Sequence, residues 1–313
     1  MMDIFFIFSG LILLVFGGDF LLKSAVGFAN RMQIPRIVIG MTIVSFATSA
    51  PELIVSIKSA IEGHADIALG NVIGSNIANL GLVLSITTIL CSIDIKKHFY
   101  KTDWPIMMFS SLLLYLFIGF DGVLGRVEGA VLFFFLLLAL VFLFKFNRSS
   151  VDETSDEVID KSPSLFKDIS FLAIGGLGLW GGAELLISGS IEIAKQFHVS
   201  ERIIGITVVS IGTSVPELAT SIIAVIKKEK AISIGNLIGS NMFNILAVLG
   251  ITSIIQPIHV MDNGLMNSDI FWMLAVSFLI FPLVFAPTKM KLAWKEGCLL
   301  ISIYICFLFF TLF

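Results

Sequence analysis

Long apolar runs separated by short polar stretches dominate the chain, and they predict membrane-spanning helices. A helix needs about 17–25 mostly apolar residues to cross a bilayer. Ten runs fit this pattern: residues 4–22, 37–61, 67–90, 105–120, 127–146, 168–190, 203–226, 231–254, 270–286 and 297–313. We therefore predict an all-α polytopic membrane protein with ten transmembrane helices.

Two segments in separate halves of the chain are copies of each other. Residues 40–79 and 205–244 align without a gap at an offset of 165 positions, and about half of the aligned residues are identical. The identities include polar residues and helix breakers, which are costly in lipid and usually mark the path of an ion or substrate. Because each half holds five predicted spans, an odd number, the second half should cross the membrane upside down, as in transporters with inverted repeats.

The basic residues predict that the N- and C-termini both lie outside. In this orientation sixteen of the twenty Lys and Arg residues fall on the inside, where such residues accumulate. The inside loops include an acidic segment, 147–167, between a first half at 1–146 and a second half at 168–313. We interpret this segment as a solvated cytoplasmic linker rather than a calcium sensor, because it lacks the glycine turn and ligand spacing of a calcium loop.

Composition agrees with a membrane protein. Hydrophobic residues make up 57% of the chain and charged residues 14%, with a mean hydropathy of +1.00. Soluble domains have about 25% charged residues. The net charge of −3 gives no reason to predict a nucleic-acid partner. The sequence predicts that the lipid bilayer surrounds the protein. The three cysteines suggest neither a disulfide framework nor a metal site, and no cofactor is predicted.

The first duplicated motif predicts a broken helix that carries a carboxylate. In Thr48-Ser49-Ala50-Pro51-Glu52, proline has no N–H and disfavours helix at the residue before it. The carbonyl of Ala47 loses its helical partner, so neighbouring carbonyls can turn towards a cavity beside the Thr and Ser hydroxyls and the Glu52 carboxylate. The second copy supplies an equivalent set: Thr213, Ser214, Pro216 and Glu217.

The second duplicated motif combines small residues with amides and a hydroxyl. Gly70 and Gly74 have the GxxxG spacing that permits close helix packing, and Ser75 and Asn79 are one helical turn apart. The second copy repeats this set with Gly235, Gly239, Ser240 and Asn244.

All of these candidate ligands are oxygen atoms, which indicates a hard cation such as Ca²⁺, Na⁺, Mg²⁺ or K⁺. Glu52 and Glu217 would balance one Ca²⁺, and the neutral oxygens fit a dehydrated Ca²⁺ or Na⁺ better than Mg²⁺. A single proline kink or a single GxxxG would be read as structural. Two symmetric carboxylates in apolar spans, with no basic partner in their own helices, favour ion binding instead.

Two further acids match across the repeat. Asp19 and Glu184 are 165 positions apart, and each follows a pair of glycines near the end of a predicted span. We interpret them as structural residues at the membrane interface, with a role in gating the first and sixth spans as the alternative.

At these motifs the chain resembles the cation/calcium exchanger superfamily, specifically the prokaryotic sodium/calcium exchangers. The resemblance covers ten spans, two inverted halves and both copies of the motif pair. It implies that Glu52 and Glu217 bind Ca²⁺ centrally and Na⁺ in the alternate state, with backbone carbonyls of Thr48 and Thr213. Other implied groups are Ser49, Ser214, Ser75 and Ser240 at flanking sodium sites, the carbonyls of Ser45 and Ser210, and Asn79 and Asn244 in the central ring.

This sequence departs from the family pattern at two positions. Ala47 stands where the second copy has Gly212. We expect the extra methyl group to alter the helix break or a flanking site. Asn244 stands where some relatives have an acid that is associated with potassium use, which argues against potassium dependence here.

The sequence thus predicts an antiporter rather than an enzyme. It would exchange Na⁺ for Ca²⁺ by alternating access in a prokaryotic inner membrane, with calcium extrusion as the direction. A Ca²⁺/H⁺ antiporter, a potassium-dependent antiporter and a passive cation channel are the alternatives. An intramembrane hydrolase is disfavoured, because we find no nucleophile–base pair, metal-binding His motif or Gly-x-Ser-x-Gly. The predicted partners are the two ions and lipid, and no protein partner is predicted.

Overall fold

The protein is mainly helical in the part that the computed structural model describes, residues 2–146, 164–196, 210–262, 264–287 and 290–312. The helices are α1 Met2–Met32, α2 Arg36–Thr48, α3 Ala50–Ile61, α4 Ala65–Leu90, α5 Phe99–Asp121, α6 Arg126–Phe146, α7 Leu165–Gln196, α8 Ser210–Thr213, α9 Val215–Ile226, α10 Lys230–Ile255, α11 Leu265–Phe285 and α12 Trp294–Leu312. Four strands of two residues join them: β1 Ile93–Asp94, β2 Val123–Leu124, β3 Ile258–His259 and β4 Lys291–Leu292.

Within the described ranges, eight helices are long and apolar enough to cross a membrane, and α2 with α3 makes a ninth if the pair is one span. The predicted span at 203–226 lies partly outside the described residues, which include only α8 and α9 of it. Most of the predicted linker, 147–163, is also outside them. The helical membrane class is therefore confirmed, whereas the number ten stays a prediction.

Several helices are longer than the hydrophobic pattern predicts. The first predicted span stops at residue 22, but α1 continues to Met32, because no helix breaker occurs before Gln33, which has a φ of 52°, and Pro35. Lys23 and Arg31 thus lie on a helix that extends beyond the apolar run.

The chain forms two compact units, and each combines segments from both halves of the sequence. The first unit contains residues 1–48 and 140–236, and the second contains residues 49–139 and 237–313. The units therefore do not coincide with the two sequence halves.

In the first unit, α1 and α7 run antiparallel in close backbone contact. A Cβ atom added at Gly10 would lie 2.7 Å from the Gly182 carbonyl oxygen, and one added at Gly175 would lie 2.6 Å from the Leu21 nitrogen. The contacts thus follow opposite orders along the two helices, from Gly10 with Gly182 to Leu21 with Gly175. Glycine makes this approach possible, as it does at many helix crossings in membranes. Since residues 10 and 175 are equivalent in the repeat, related helices run in opposite directions here.

Ion pairs join the helix ends in the first unit. Arg31 on α1 contacts Asp168 on α7 at 3.2 Å, and the Asp168 backbone carbonyl accepts a 2.8 Å hydrogen bond from the Ser24 hydroxyl. Arg36 on α2 pairs with Glu229, which lies directly before α10. Arg31, Arg36 and Glu229 belong to segments that the charge pattern places inside, and Asp168 is the first residue of the sixth predicted span.

In the second unit, α4 packs against α12 and α5 packs against α11. Tyr304 on α12 lies against Gly81, where a Cβ atom would come within 3.0 Å of the tyrosine side chain. The Trp104 indole N–H donates a 2.8 Å hydrogen bond to the Ser277 carbonyl oxygen. The α4 segment that carries the second motif is itself buried, with Ser75, Asn76 and Asn79 at 1% exposure or less.

Two small antiparallel strand pairs connect loops of the second unit. β1 pairs with β4, and β2 pairs with β3, so each pair takes one strand from each half of the sequence. The hydrophobic pattern does not predict strands this short. Each pair joins two loops that the charge pattern places on the same side of the membrane.

Candidate ion-binding residues

Both copies of the first motif interrupt a helix, as the sequence predicts. Ser49 has φ −86° and ψ 4°, and Ser214 has φ −89° and ψ 3°, and neither continues the preceding helix. New helices, α3 and α9, begin at the following residue with proline in their first turn. Proline is favoured there, because its missing N–H would lack a helical partner in any case.

The two duplicated glutamates are fully buried in the first turns of these new helices. Glu52 lies in the first turn of α3 and Glu217 in the first turn of α9, and both are 0% exposed. A carboxylate is favoured at this position, because the N-terminal end of a helix has a partial positive charge. A buried carboxylate nevertheless requires compensation by other groups or by a cation.

In the first unit, a buried asparagine binds two of the predicted ligands. The Ser45 hydroxyl lies 2.9 Å from the backbone oxygen of Asn236, and the Thr48 hydroxyl donates to the Asn236 side-chain oxygen at 3.2 Å. The Thr48 hydroxyl also lies 3.3 Å from the Ser45 carbonyl oxygen, one of the four predicted carbonyl ligands. Asn236 therefore fixes the end of α2 just before the interruption.

The first unit contains further buried hydroxyls around the second copy of the first motif. Thr213 and Ser214 are buried, and so are Thr220 and Ser221 on α9. The hydroxyls of Ser214, Thr220 and Ser221 have no hydrogen-bond partner among the described residues. Ser210 begins α8, but its side chain lies outside the description.

In the second unit, α4 holds the segment that carries Glu52. The Asn71 side-chain amide donates to the Ser56 hydroxyl at 3.2 Å and lies 3.5 Å from the Glu52 backbone oxygen. Ser49 and Ser75 are also buried in this unit. The contacts of Asn71 tie α3 to α4 one turn beyond the carboxylate.

Four buried asparagines of the second unit form a hydrogen-bonded cluster, which we name the asparagine tetrad: Asn76, Asn79, Asn241 and Asn244. Asn79 and Asn244 are predicted ligands, and each begins a widened π-helical turn, a feature that is frequent at functional sites. Ser240, another predicted ligand, directly precedes Asn241 in the sequence and is also buried.

Four asparagines that contact these residues are missing from the predicted ligands. Asn76, Asn236 and Asn241 are buried, and Asn71 is half-buried. A signal was available, because Asn71 and Asn236 are identical across the repeat, as are Asn76 and Asn241.

Gly70 and Gly235, which are equivalent glycines of the second motif, have different surroundings. A Cβ atom at Gly235 would overlap the Ile37 carbonyl group, so α2 and α10 are in backbone contact there. At Gly70 a Cβ atom would meet only the Leu265 side chain, at 3.6 Å, which is an ordinary contact.

The difference between Ala47 and Gly212 has a local explanation. A methyl group at Gly212 would overlap the Ile187 side chain on α7. The position equivalent to Ile187 in the first copy is Leu22, and Ala47 is accommodated. Glycine at position 212 therefore leaves room for the Ile187 side chain of α7.

We expect Gly212→Ala to lower the thermal unfolding temperature, because Ile187 has to move. Overpacking of this kind costs about 1–3 kcal/mol. In an Ile187→Ala background most of the loss caused by Gly212→Ala should disappear, whereas Ala47→Gly relieves no overlap and should cost only helix propensity, up to ~1 kcal/mol. Equal effects of Gly212→Ala with and without Ile187→Ala would contradict this explanation.

Asp19 and Glu184 occupy different environments despite their equivalence in the repeat. Asp19 pairs with Lys23 at 2.8 Å and with Lys227, whereas Glu184 is exposed. The pair with Lys227 connects the middle of α1 to the end of α9.

These features define the class of the protein: a polytopic helical membrane protein with duplicated, buried, oxygen-rich residue clusters of the kind that bind hard cations during transport. The sequence matches the family described as sodium/calcium exchanger protein over residues 2–145 and 167–313. The chain belongs to this family, and it is accordingly an antiporter of Na⁺ and Ca²⁺.

The chain is also similar over most of its length to a named exchanger, to an inner membrane protein and to a solved exchanger structure. The sodium/calcium exchanger MaX1 of Methanosarcina acetivorans is 31% identical over 96% of this chain and 95% of its own length. The inner membrane protein YrbG of Escherichia coli is 35% identical over 79% of this chain and 78% of its own. The solved structure of the sodium-calcium exchanger NCX_Mj, soaked with zero Na⁺ and Ca²⁺, superimposes with a TM-score of 0.84 at 28% identity and covers 97% of both chains.

Proposed function

We propose that the protein extrudes Ca²⁺ in exchange for Na⁺ entry, with net movement of charge, by alternating access in a prokaryotic inner membrane. The observation that carries this proposal is the pair of fully buried glutamates, Glu52 and Glu217, each in the first turn of a helix that begins after an interruption. Family membership supplies the two ions.

The proposed ligands are the groups that the sequence identifies. Glu52 and Glu217 bind Ca²⁺, and Na⁺ competes for the same carboxylates. The remaining oxygen donors are Thr48, Thr213, Ser49, Ser214, Ser75, Ser240, Asn79, Asn244 and the carbonyls of Ser45 and Ser210. Burial of ten of these twelve side chains at 3% exposure or less supports the assignment, Thr213 being 8% exposed and Ser210 outside the description.

Charge arithmetic supports electrogenic exchange. Two carboxylates give the binding residues a charge of −2, so they are neutral with one Ca²⁺ and carry +1 with three Na⁺, the stoichiometry that the family resemblance implies. Moving one charge through the membrane is worth about 2.3 kcal/mol per 100 mV. A negative interior would therefore drive Na⁺ inwards and Ca²⁺ outwards.

The proposed architecture has ten spans in two inverted halves, 1–146 and 168–313, with a cytoplasmic linker at 147–167 and both termini outside. Its support comes from the antiparallel contact of α1 with α7 and from strand pairs that join loops of the same predicted side. We propose that α1 and α7, which lack the ion-binding motifs, slide together during alternating access.

Uptake of ⁴⁵Ca²⁺ into proteoliposomes tests the function. We expect uptake with internal Na⁺ and none with internal K⁺ or choline, because the protein couples the two ions. Uptake driven only by a pH gradient would instead make the protein a Ca²⁺/H⁺ antiporter. A requirement for K⁺ beside Na⁺ would indicate potassium-dependent exchange, and flux far above carrier rates without a counter-ion would indicate a channel.

A potassium diffusion potential tests charge movement in the same vesicles. An inside-positive potential set with valinomycin should accelerate Na⁺-dependent Ca²⁺ uptake several-fold, because net positive charge leaves the vesicle with the sodium ions. The measurement is the initial rate at fixed ion gradients. An unchanged rate across a 100 mV range would contradict electrogenic exchange while leaving the coupling of the two ions intact.

A further inference from the structure

The asparagine tetrad contains two separate hydrogen-bond chains that are related by the repeat. In the first, the Asn76 amide donates to the Asn241 backbone oxygen at 3.2 Å, and the Asn244 amide donates to the Asn76 side-chain oxygen at 3.1 Å. In the second, the Asn241 amide donates to the Asn76 backbone oxygen at 3.2 Å, and the Asn79 amide donates to the Asn241 side-chain oxygen at 3.1 Å.

Each chain begins at a backbone oxygen, and this determines every amide orientation that follows. A carbonyl oxygen only accepts, so the nitrogen of Asn76 has to face Asn241, and its side-chain oxygen has to face away. That oxygen also only accepts, so the group of Asn244 that meets it has to be the amide nitrogen. A second N–H of Asn76 is directed to the Met273 sulfur, at 3.8 Å. The same logic orients Asn241 and then Asn79.

The consequence is that Asn79 and Asn244 each retain one oriented acceptor. Their side-chain oxygens are buried and have no hydrogen-bond partner in the part of the chain that is described. A buried acceptor without a donor is costly, and a cation would satisfy it. If either amide were reversed, it would present N–H groups, which repel a cation.

We propose that Asn76 and Asn241 are positioning residues for ion binding: they hold Asn244 and Asn79, respectively, with the amide oxygen available to the transported cation. The inference rests on the proposed function. It adds a division of labour in which one asparagine of each repeat copy sets the orientation of the ligand asparagine in the other copy.

Double-mutant cycles test this pairing in Na⁺-loaded proteoliposomes. The measured quantity is the external Ca²⁺ concentration for half-maximal uptake. Asn76→Ala and Asn241→Ala should each raise it ~3- to 10-fold, as expected for loss of one hydrogen bond that fixes a ligand. The maximal rate should change less, because the substituted residues do not themselves bind the ion.

The combinations distinguish orientation from general loosening. Asn76→Ala should add little to Asn244→Ala, since it acts through that residue, but its effect should multiply with that of Asn79→Ala. Asn241→Ala should show the opposite preference. A double-mutant cycle measures this coupling for each pair. A merely structural role would not couple Asn76 to Asn244 and Asn241 to Asn79 selectively.

Trp104→Phe serves as the matched control, because it removes a 2.8 Å side-chain-to-backbone hydrogen bond between two helices of the same unit. It should leave the half-maximal Ca²⁺ concentration unchanged. If an alanine variant does not fold, serine at the same position leaves a smaller cavity and carries the same prediction.

Each remaining outcome contradicts a specific statement. Normal half-maximal concentrations in Asn76→Ala and Asn241→Ala, or identical coupling to both ligand asparagines, would overturn the positioning role alone. Absence of Na⁺-dependent uptake by the unmodified protein would overturn the proposed function and this inference with it.

Discussion

Glu52→Gln and Glu217→Gln should each abolish Na⁺-dependent Ca²⁺ uptake. The substitution retains the size of the side chain and one oxygen but removes half of the charge that balances Ca²⁺. Removing one partner from a buried charge interaction costs ~3–5 kcal/mol, which is roughly a hundredfold to several-thousandfold in affinity. The measurement is ⁴⁵Ca²⁺ uptake into vesicles that contain equal amounts of folded protein.

Two exposed glutamates provide matched controls for this prediction. Glu62 directly follows α3 with a side chain that is 53% exposed, and Glu184 is exposed on α7. Their glutamine variants should retain uptake near that of the unmodified protein. Uptake within tenfold of normal in either Glu52→Gln or Glu217→Gln would remove that residue from the ligand set.

Gly175→Leu should prevent the protein from folding stably, whereas Gly176→Leu should be tolerated. A Cβ atom added at Gly175 would lie 2.6 Å from the Leu21 nitrogen and 2.9 Å from the Gly17 oxygen. A side chain at this position would therefore overlap backbone atoms of α1. Nothing lies within 4 Å of the same atom at Gly176. Backbone relaxes less readily than a side chain, so the cost should meet or exceed the ~1–3 kcal/mol of ordinary overpacking.

Thermal unfolding in detergent and gel-filtration profiles measure this difference. The alanine variants give the graded form: Gly175→Ala should unfold at a lower temperature, while Gly176→Ala should gain up to ~1 kcal/mol from better helix propensity. Similar behaviour of the two neighbouring variants would mean that the α1–α7 contact does not need glycine.

The sequence predicts the membrane class, the interrupted helices and most candidate ligands, because these depend on local chemistry. The proline of each Thr-Ser-x-Pro-Glu motif disfavours helix just before it, and a duplicated glutamate is conspicuous in apolar sequence. The family comparisons confirm the exchanger class that these residues indicate.

The features that the sequence does not predict depend on contacts that form only in the folded protein. Asn76 and Asn79 both look like polar residues of one motif, and only contacts reveal that Asn76 binds a protein carbonyl whereas Asn79 keeps a buried oxygen. The four short strands escaped prediction for a similar reason, because two residues have no recognisable period and pair with loops far along the chain.

The asparagine tetrad also has a consequence for biosynthesis. Asn76 is synthesised 165 residues before its partner Asn241. At about 5–20 residues per second, the earlier amides wait roughly ten to thirty seconds for their hydrogen bonds. During this interval α4 carries unsatisfied polar side chains in an apolar setting, so the nascent first half should depend on the insertion machinery or on water to shelter them until α10 arrives.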